Sequence, residues 1–208
     1  MPSLVREFLS EMSPIEGVAA VLVLVNVWLV ARRSIWNYAF GVAGVAIYGW
    51  VFFHARLYSD ALLQVFFLVL NLYGLAKWRQ SRAQAGEVVV ERLGVGKRFA
   101  WAGGILVAIA VWGWLMHRFT DASLPWWDAG VAMTSVAAQL LMSWRKLENW
   151  WLWIAANMLS IGLYAVKGLW ITMALYVVLL GLAIWGLARW RAARVEAPRG
   201  RTQLERGS

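Results

Sequence analysis

Long apolar runs separated by short polar breaks dominate the chain. Seven can be read, at about 15–31, 35–53, 58–78, 99–117, 125–144, 148–166 and 169–188. Each is close to the roughly 20 apolar residues that one helix needs to cross a hydrocarbon core. Polar residues recur inside these runs at helical spacing. Trp150, Trp153, Asn157, Ser160 and Tyr164 are separated by steps of 3, 4, 3 and 4, which puts all five on one helical face. Asp60, Gln64, Phe67 and Asn71 form a similar stripe in the third run, and Asn37, Gly41, Gly44 and Tyr48 in the second. Asn26 lies in the first run and Gln139 in the fifth. Polar groups at membrane depth are costly, so these positions are the candidate functional faces. The pattern predicts an all-α membrane protein of seven spans.

The runs also repeat. Gly74-Leu75-Ala76-Lys77-Trp78 returns, with one Lys/Arg exchange, as Gly186-Leu187-Ala188-Arg189-Trp190, an offset of 112. Leu57-Tyr58 answers to Leu169-Trp170 at the same offset, and Tyr48 to Tyr164 once about four hairpin residues are dropped. Gly17-Val18-Ala19 answers to Gly130-Val131-Ala132, and Asn26 to Gln139, at an offset of 113. Three spans return a chain on the opposite side, so a second triplet keeps its orientation only if one extra crossing intervenes. The fourth run, with no polar residue at depth, is that linker. The expected organisation is an extracytoplasmic segment 1–14, a first repeat 15–78, a cytoplasmic loop 79–98, a linker helix 99–117, a second repeat 125–190 and a disordered basic tail 191–208. Parallel repeats of this kind are built around a solute path between their halves.

Composition agrees with the runs. A mean hydropathy of +0.60, 62% hydrophobic residues and 16 Trp exclude a disordered chain and an ordinary soluble domain. The net charge of +9 would suit nucleic acid if it were clustered on a soluble surface. With seven spans it divides instead sixteen to four between the two sides. Arg6, Arg56, Arg118 and Lys167 fall on the N-terminal side, and every other Lys and Arg on the opposite one. The positive-inside rule then places the N-terminus outside and the tail in the cytoplasm, facing anionic lipid rather than nucleic acid. The chain has no cysteine, which excludes disulfides and thiolate metal sites. The first apolar run lacks the basic flank and small-residue site of a cleaved signal peptide.

All eleven carboxylates fall in loops, tails or first helical turns, and His54 and His117 at helix ends. Nothing ionisable is therefore expected at depth to couple transport to protons. The same absence leaves no catalytic constellation, metal cluster or haem ligand, so no enzyme and no cofactor is expected. Trp78, Trp101, Trp126, Trp127, Trp144, Trp170 and Trp190 lie near run ends and read as an interfacial belt. Asn26, Gln64, Asn71 and Gln139 could equally serve as interhelical glue. Trp153, one turn inside the membrane and one turn from Asn157, suits a flat, polar-edged solute held by stacking and cation–π attraction. A seven-helix receptor is disfavoured by the repeat, and a structural scaffold by polar stripes on three helices.

Trp150-x-x-Trp153-x-x-x-Asn157 resembles the Trp-x-x-Trp-x-x-x-Asn signature of the PnuC-type vitamin transporters. Arg145-Lys146-Leu147-Glu148-Asn149-Trp150, Ser34-Ile35-Trp36-Asn37-Tyr38 and Leu63-Gln64-Val65-Phe66-Phe67 are similar to that family as well. The resemblance implies a fold like the SWEET sugar transporters and a homotrimer in a bacterial inner membrane. It also implies facilitated diffusion of a vitamin trapped by a cytoplasmic kinase. Nicotinamide riboside is the expected substrate; thiamine, riboflavin and deoxynucleosides are the alternatives within the family. The expected binding residues are Trp150, Trp153, Asn157, Gln64, Asn71, Tyr48, Asn37, Tyr164, Gln139 and Asn26.

Overall fold

The structure, a computed structural model, describes residues 14–54, 58–120 and 123–204. Segment 1–13 with Arg6, the Arg56 position and residues 205–208 lie outside the described residues. Those described form α1 (Pro14–Ala31), α2 (Asn37–His54), α3 (Tyr58–Ala85), α4 (Val95–Phe119), α5 (Pro125–Ser143), α6 (Asn149–Val166) and α7 (Trp170–Leu204). Among the described residues there is no β-strand, only one isolated bridge. Every apolar run has become a helix. The ends differ from expectation at three places. Helix α3 runs on past Trp78 to Ala85, α4 begins early at Val95, and α7 continues to Leu204 through the tail expected to be disordered.

Consecutive helices pack as α1 on α2 on α3 and as α5 on α6 on α7. The two groups meet where α1 lies against α7 and α3 against α5, which closes a ring of six helices. Helix α4 packs along α5, and Phe99, Leu106, Val107, Val111 and Trp114 leave its outer face apolar and exposed. The segments Val95–Phe119 and Trp170–Arg194 are long and apolar enough to cross a membrane on composition alone.

Residues related by the repeat offset do the same work in the two groups. The turns after α1 and α5 are Schellman closures in which Ser34 N–H donates to Leu29 O and Lys146 N–H to Leu141 O, both at 2.9 Å. The left-handed residue of each is an arginine, Arg33 and Arg145, both at φ 57°, where glycine would be unstrained. Asn37 and Asn149, both fully buried, donate from Nδ2 to Ser34 O and Lys146 O at 2.6 Å. Trp78 Nε1 donates to Met142 O at 3.1 Å, and Trp190 Nε1 to Val30 O at 3.0 Å. Each indole thus ties one group of three helices to the other.

Trp78 and Trp190 correct the expectation of an interfacial belt, because both are fully buried. They sit in a file of rings: Tyr38 to Trp78 at 5.4 Å, Trp78 to Trp190 at 5.9 Å, and Trp190 to Trp150 at 5.6 Å between centroids. What covers them is the connection after α3. Gly86, at φ 74°, ends that helix, and residues 86–94 return across the bundle end as an extended strap. Val88, Val90 and Leu93 are buried, and the two valines join the core cluster that holds both indoles. Glu91 N–H donates to Arg145 O at 3.0 Å, and Leu147 N–H to Glu91 O at 2.8 Å. Partial burial pushes the Glu91 carboxyl up, but its hydrogen bonds and ion pairs with Lys146 and Arg145 hold it below the usual carboxylate range. That anchor is therefore complete above the ordinary carboxylate pKa and is lost only as pH falls through the lowered one.

Candidate functional site

Four helices each turn one stripe towards a cavity of about 210 Å³ inside the ring. Helix α1 supplies Val23, Asn26, Val27 and Val30; α5 supplies Ser135, Gln139 and Met142. Helix α6 supplies Trp150, Trp153, Ala156 and Asn157, and α7 supplies Tyr176, Leu179 and Ala183. All four sets follow the three- and four-residue steps of a single helical face. Both groups of helices share the cavity at α1 and α5. Counted back at 112 from the matched turns, Val23, Val27 and Val30 answer to Ser135, Gln139 and Met142, so Gln139 falls one residue away from the pairing with Asn26 that the sequence echo at 113 suggests. Beyond that pair it belongs to the second group alone.

Its polar valences are largely uncommitted. Asn157, 6% exposed, makes no side-chain hydrogen bond among the described residues, and neither does the Gln139 amide. Asn26 spends Nδ2 on Asn37 O at 2.6 Å and keeps Oδ1. The Trp150 Nε1–H is buried and unpartnered. Asn157 and the Trp150 N–H are buried and Asn26 and Gln139 half-buried. Buried polar groups are nearly always satisfied, so open valences converging on one cavity mark a place where a ligand completes them. Among the described residues, no ionisable side chain lines it apart from the Tyr176 phenol.

Of the ten residues expected from sequence, the structure brings Trp150, Trp153, Asn157, Gln139 and Asn26 together at this cavity. The other five stand elsewhere. Asn37 is occupied in the turn before α2. Asn71 donates from Nδ2 to Phe67 O at 2.9 Å, and its Oδ1 and Asn26 Nδ2 fill the space beside Gly41. Gln64 lies against Gly49. Tyr164 stacks on Tyr176 with ring centroids 5.2 Å apart, and Tyr48 lies within electrostatic reach of that pair. Tyr176 and Ser135 were missed. The repeat held a signal for Tyr176, which is the equivalent of Gln64 on the matching stripe of α3.

A ring of apolar helices around an uncharged cavity of indoles and carboxamides defines a membrane carrier for a small polar-edged solute. Residues 13–192 match the family of nicotinamide mononucleotide transporters, and the chain belongs to that family. It is 29% identical over 199 residues to the nicotinamide riboside transporter PnuC of Escherichia coli, covering 84% of this chain and 83% of that one. It is 24% identical to the riboflavin/roseoflavin transporter RibM of Streptomyces davaonensis, covering 81% and 80%. A crystal structure of the vitamin B3 transporter PnuC matches with a TM-score of 0.74 at 27% identity, over 93% of this chain and 87% of that one. The protein is accordingly a multi-pass membrane protein.

Proposed function

We propose that the protein carries nicotinamide riboside into the cell by facilitated diffusion, with Trp150, Trp153, Asn157, Gln139 and Asn26 as its binding residues. The observation that carries this reading is the uncharged cavity in which the Trp-x-x-Trp-x-x-x-Asn residues meet two further carboxamides. The pyridinium ring of the riboside is flat and permanently cationic, and it stacks on an indole face. Its carboxamide and ribose hydroxyls match the free amides of Asn157 and Gln139 and the Asn26 Oδ1. A mononucleotide would bring a phosphate dianion into a cavity that no Lys, Arg or His among the described residues lines, where an unpaired charge is severely penalised. Calorimetry on the purified protein should show riboside binding and no measurable mononucleotide binding. Equal affinity for both would overturn the assignment. The small cavity favours the riboside over the larger riboflavin that the RibM likeness suggests as the second reading.

The proposal extends to architecture. Helices α1–α3 and α5–α7 form a parallel repeat about an axis near the membrane normal, with α4 as linker, as in the SWEET sugar carriers. The paired turns, indole bonds and ring contacts at the repeat offset support it. The proposed setting is a homotrimer in a bacterial inner membrane, with the N-terminus outside, the tail in the cytoplasm, and a kinase trapping the solute inside. The orientation is supported by Arg32, Arg33, Lys77, Arg145 and Lys146 at one end of the bundle against Arg118 and Lys167 at the other. A cytoplasm-dependent reporter fused after Ser208 is expected to be active. A silent, well-expressed fusion would reverse the assignment.

A further inference from the structure

We propose that residues 86–94 are the cytoplasmic gate of the transport path, a strap latched to both groups of helices through Glu87 and Glu91. The proposal rests on the transport reading above. Val30, Met142, Trp150 and Ala183 line the cavity and also pack in the cluster that contains Val88 and Val90. The strap is thus the layer beneath the cavity floor. A solute leaving through that end has to displace it.

The latches fall on equivalent turns. Arg33 holds Glu87 at 2.8 Å and donates to Val88 O at 3.1 Å. Arg145, its repeat equivalent, holds Glu91 at 2.7 Å and donates from Nε to Val89 O at 3.2 Å. Lys146 also pairs with Glu91. These are the two arginines kept at left-handed φ, where a glycine would close the turn without strain. A glycine there would have no guanidinium to reach the strap. If the halves rock, the two turns separate, and so short an extended segment cannot stay fixed to both.

The strength of the closure suits a moving part. The ion pairs are partly exposed and individually weak; two backbone hydrogen bonds, five between side chain and backbone at Ser81, Arg33, Arg145 and Glu148, and three buried apolar side chains supply the rest. A nine-residue segment held at its polar edge by partly exposed ion pairs and outside any helix opens locally more readily than a helical core.

Because the native chain has no cysteine, a lock can be installed cleanly. Glu91 and Lys146 face each other in a parallel bridge, where neighbouring strands run about 4.7–4.9 Å apart, inside the range a disulfide spans. The double variant Glu91→Cys/Lys146→Cys, reconstituted in proteoliposomes, should lose transport on oxidation and regain it on reduction. Equal rates in the two states would overturn the gate. The assay uses whichever of nicotinamide riboside, riboflavin and thiamine the wild type carries. A wrong substrate therefore shows in the wild type, and a wrong gate only in the variant. A second measurement needs no substrate. Ala183→Cys, almost fully buried at the cavity floor, should react slowly with an impermeant maleimide from the cytoplasmic side. Adding Val88→Asp, which expels the strap, should speed that labelling about tenfold or more. Unchanged labelling would equally overturn the proposal.

Discussion

Trp153→Ala is expected to weaken binding of nicotinamide riboside by about ten- to a hundredfold, since losing one base–aromatic stack costs about 1–3 kcal/mol. Trp153 lines the cavity one turn from Asn157, and its indole, unlike that of Trp150, is not locked into the aromatic file below. Asn157→Ala should cost about tenfold, the value of one or two hydrogen bonds to a charged or polar solute in a dry site. Trp170, 63% exposed at the start of α7, supplies the control: Trp170→Ala should leave affinity unchanged. Calorimetry and thermal unfolding on the same samples separate lost binding from lost folding. Equal losses for Trp153→Ala and Trp170→Ala would mean that the Trp153 indole is only packing.

The helices were legible because each is long, apolar and bounded by charge, and hydrophobic runs report little else in a membrane protein. Their ends were not. Residues 79–85 are polar because they leave the membrane, yet they continue α3, since nothing in Arg79-Gln80-Ser81-Arg82-Ala83-Gln84-Ala85 breaks a helix before Gly86. The same difficulty misplaced Trp78 and Trp190. Position near a run's end suggests an interface, but burial there was created by the strap, whose Val88-Val89-Val90 looks like any apolar fragment of a loop.

The stripes show a different limit. Periodicity says which residues share a helical face; it does not say what that face meets. The α6 stripe meets the cavity at Trp150, Trp153 and Asn157, while further along it Tyr164 stacks on Tyr176. Asn71 and Gln64 share an equally good stripe on α3, but the equivalents that line the cavity are Ala183 and Tyr176 on α7. Near Gly41 the reason is visible. Asn71 and Asn26 occupy the space beside that glycine, whereas its repeat equivalent, Trp153, has a side chain of its own there. The repeat sets the frame, and its broken symmetry sets the site.

That asymmetry predicts different binding outcomes for two equivalent glycines. Gly74 and Gly186 open the matched Gly-Leu-Ala-Lys/Arg-Trp segments, and each lies under an aromatic ring. A Cβ on Gly186 would sit within 2.6 Å of three carbons of the Trp150 indole. A Cβ on Gly74 would sit 2.5 Å from the Tyr38 hydroxyl and 2.9 Å from Ser143 Oγ. Neither ring is the loose end of a flexible chain, so both alanine variants overpack the core, at a cost of about 1–3 kcal/mol before the smaller helix-propensity gain of alanine. Trp150 is hemmed by Trp190 on one side and the cavity on the other, so it can yield only into the binding space. Gly186→Ala should therefore lower the melting temperature and also weaken riboside binding by about tenfold or more, because the displaced indole occupies the solute's place. Tyr38 does not line the cavity, so Gly74→Ala should lower the melting temperature and leave the affinity of the folded protein intact. If the two variants lose binding alike, the cavity is shared evenly between the halves and the skew of the site towards the second group of helices fails.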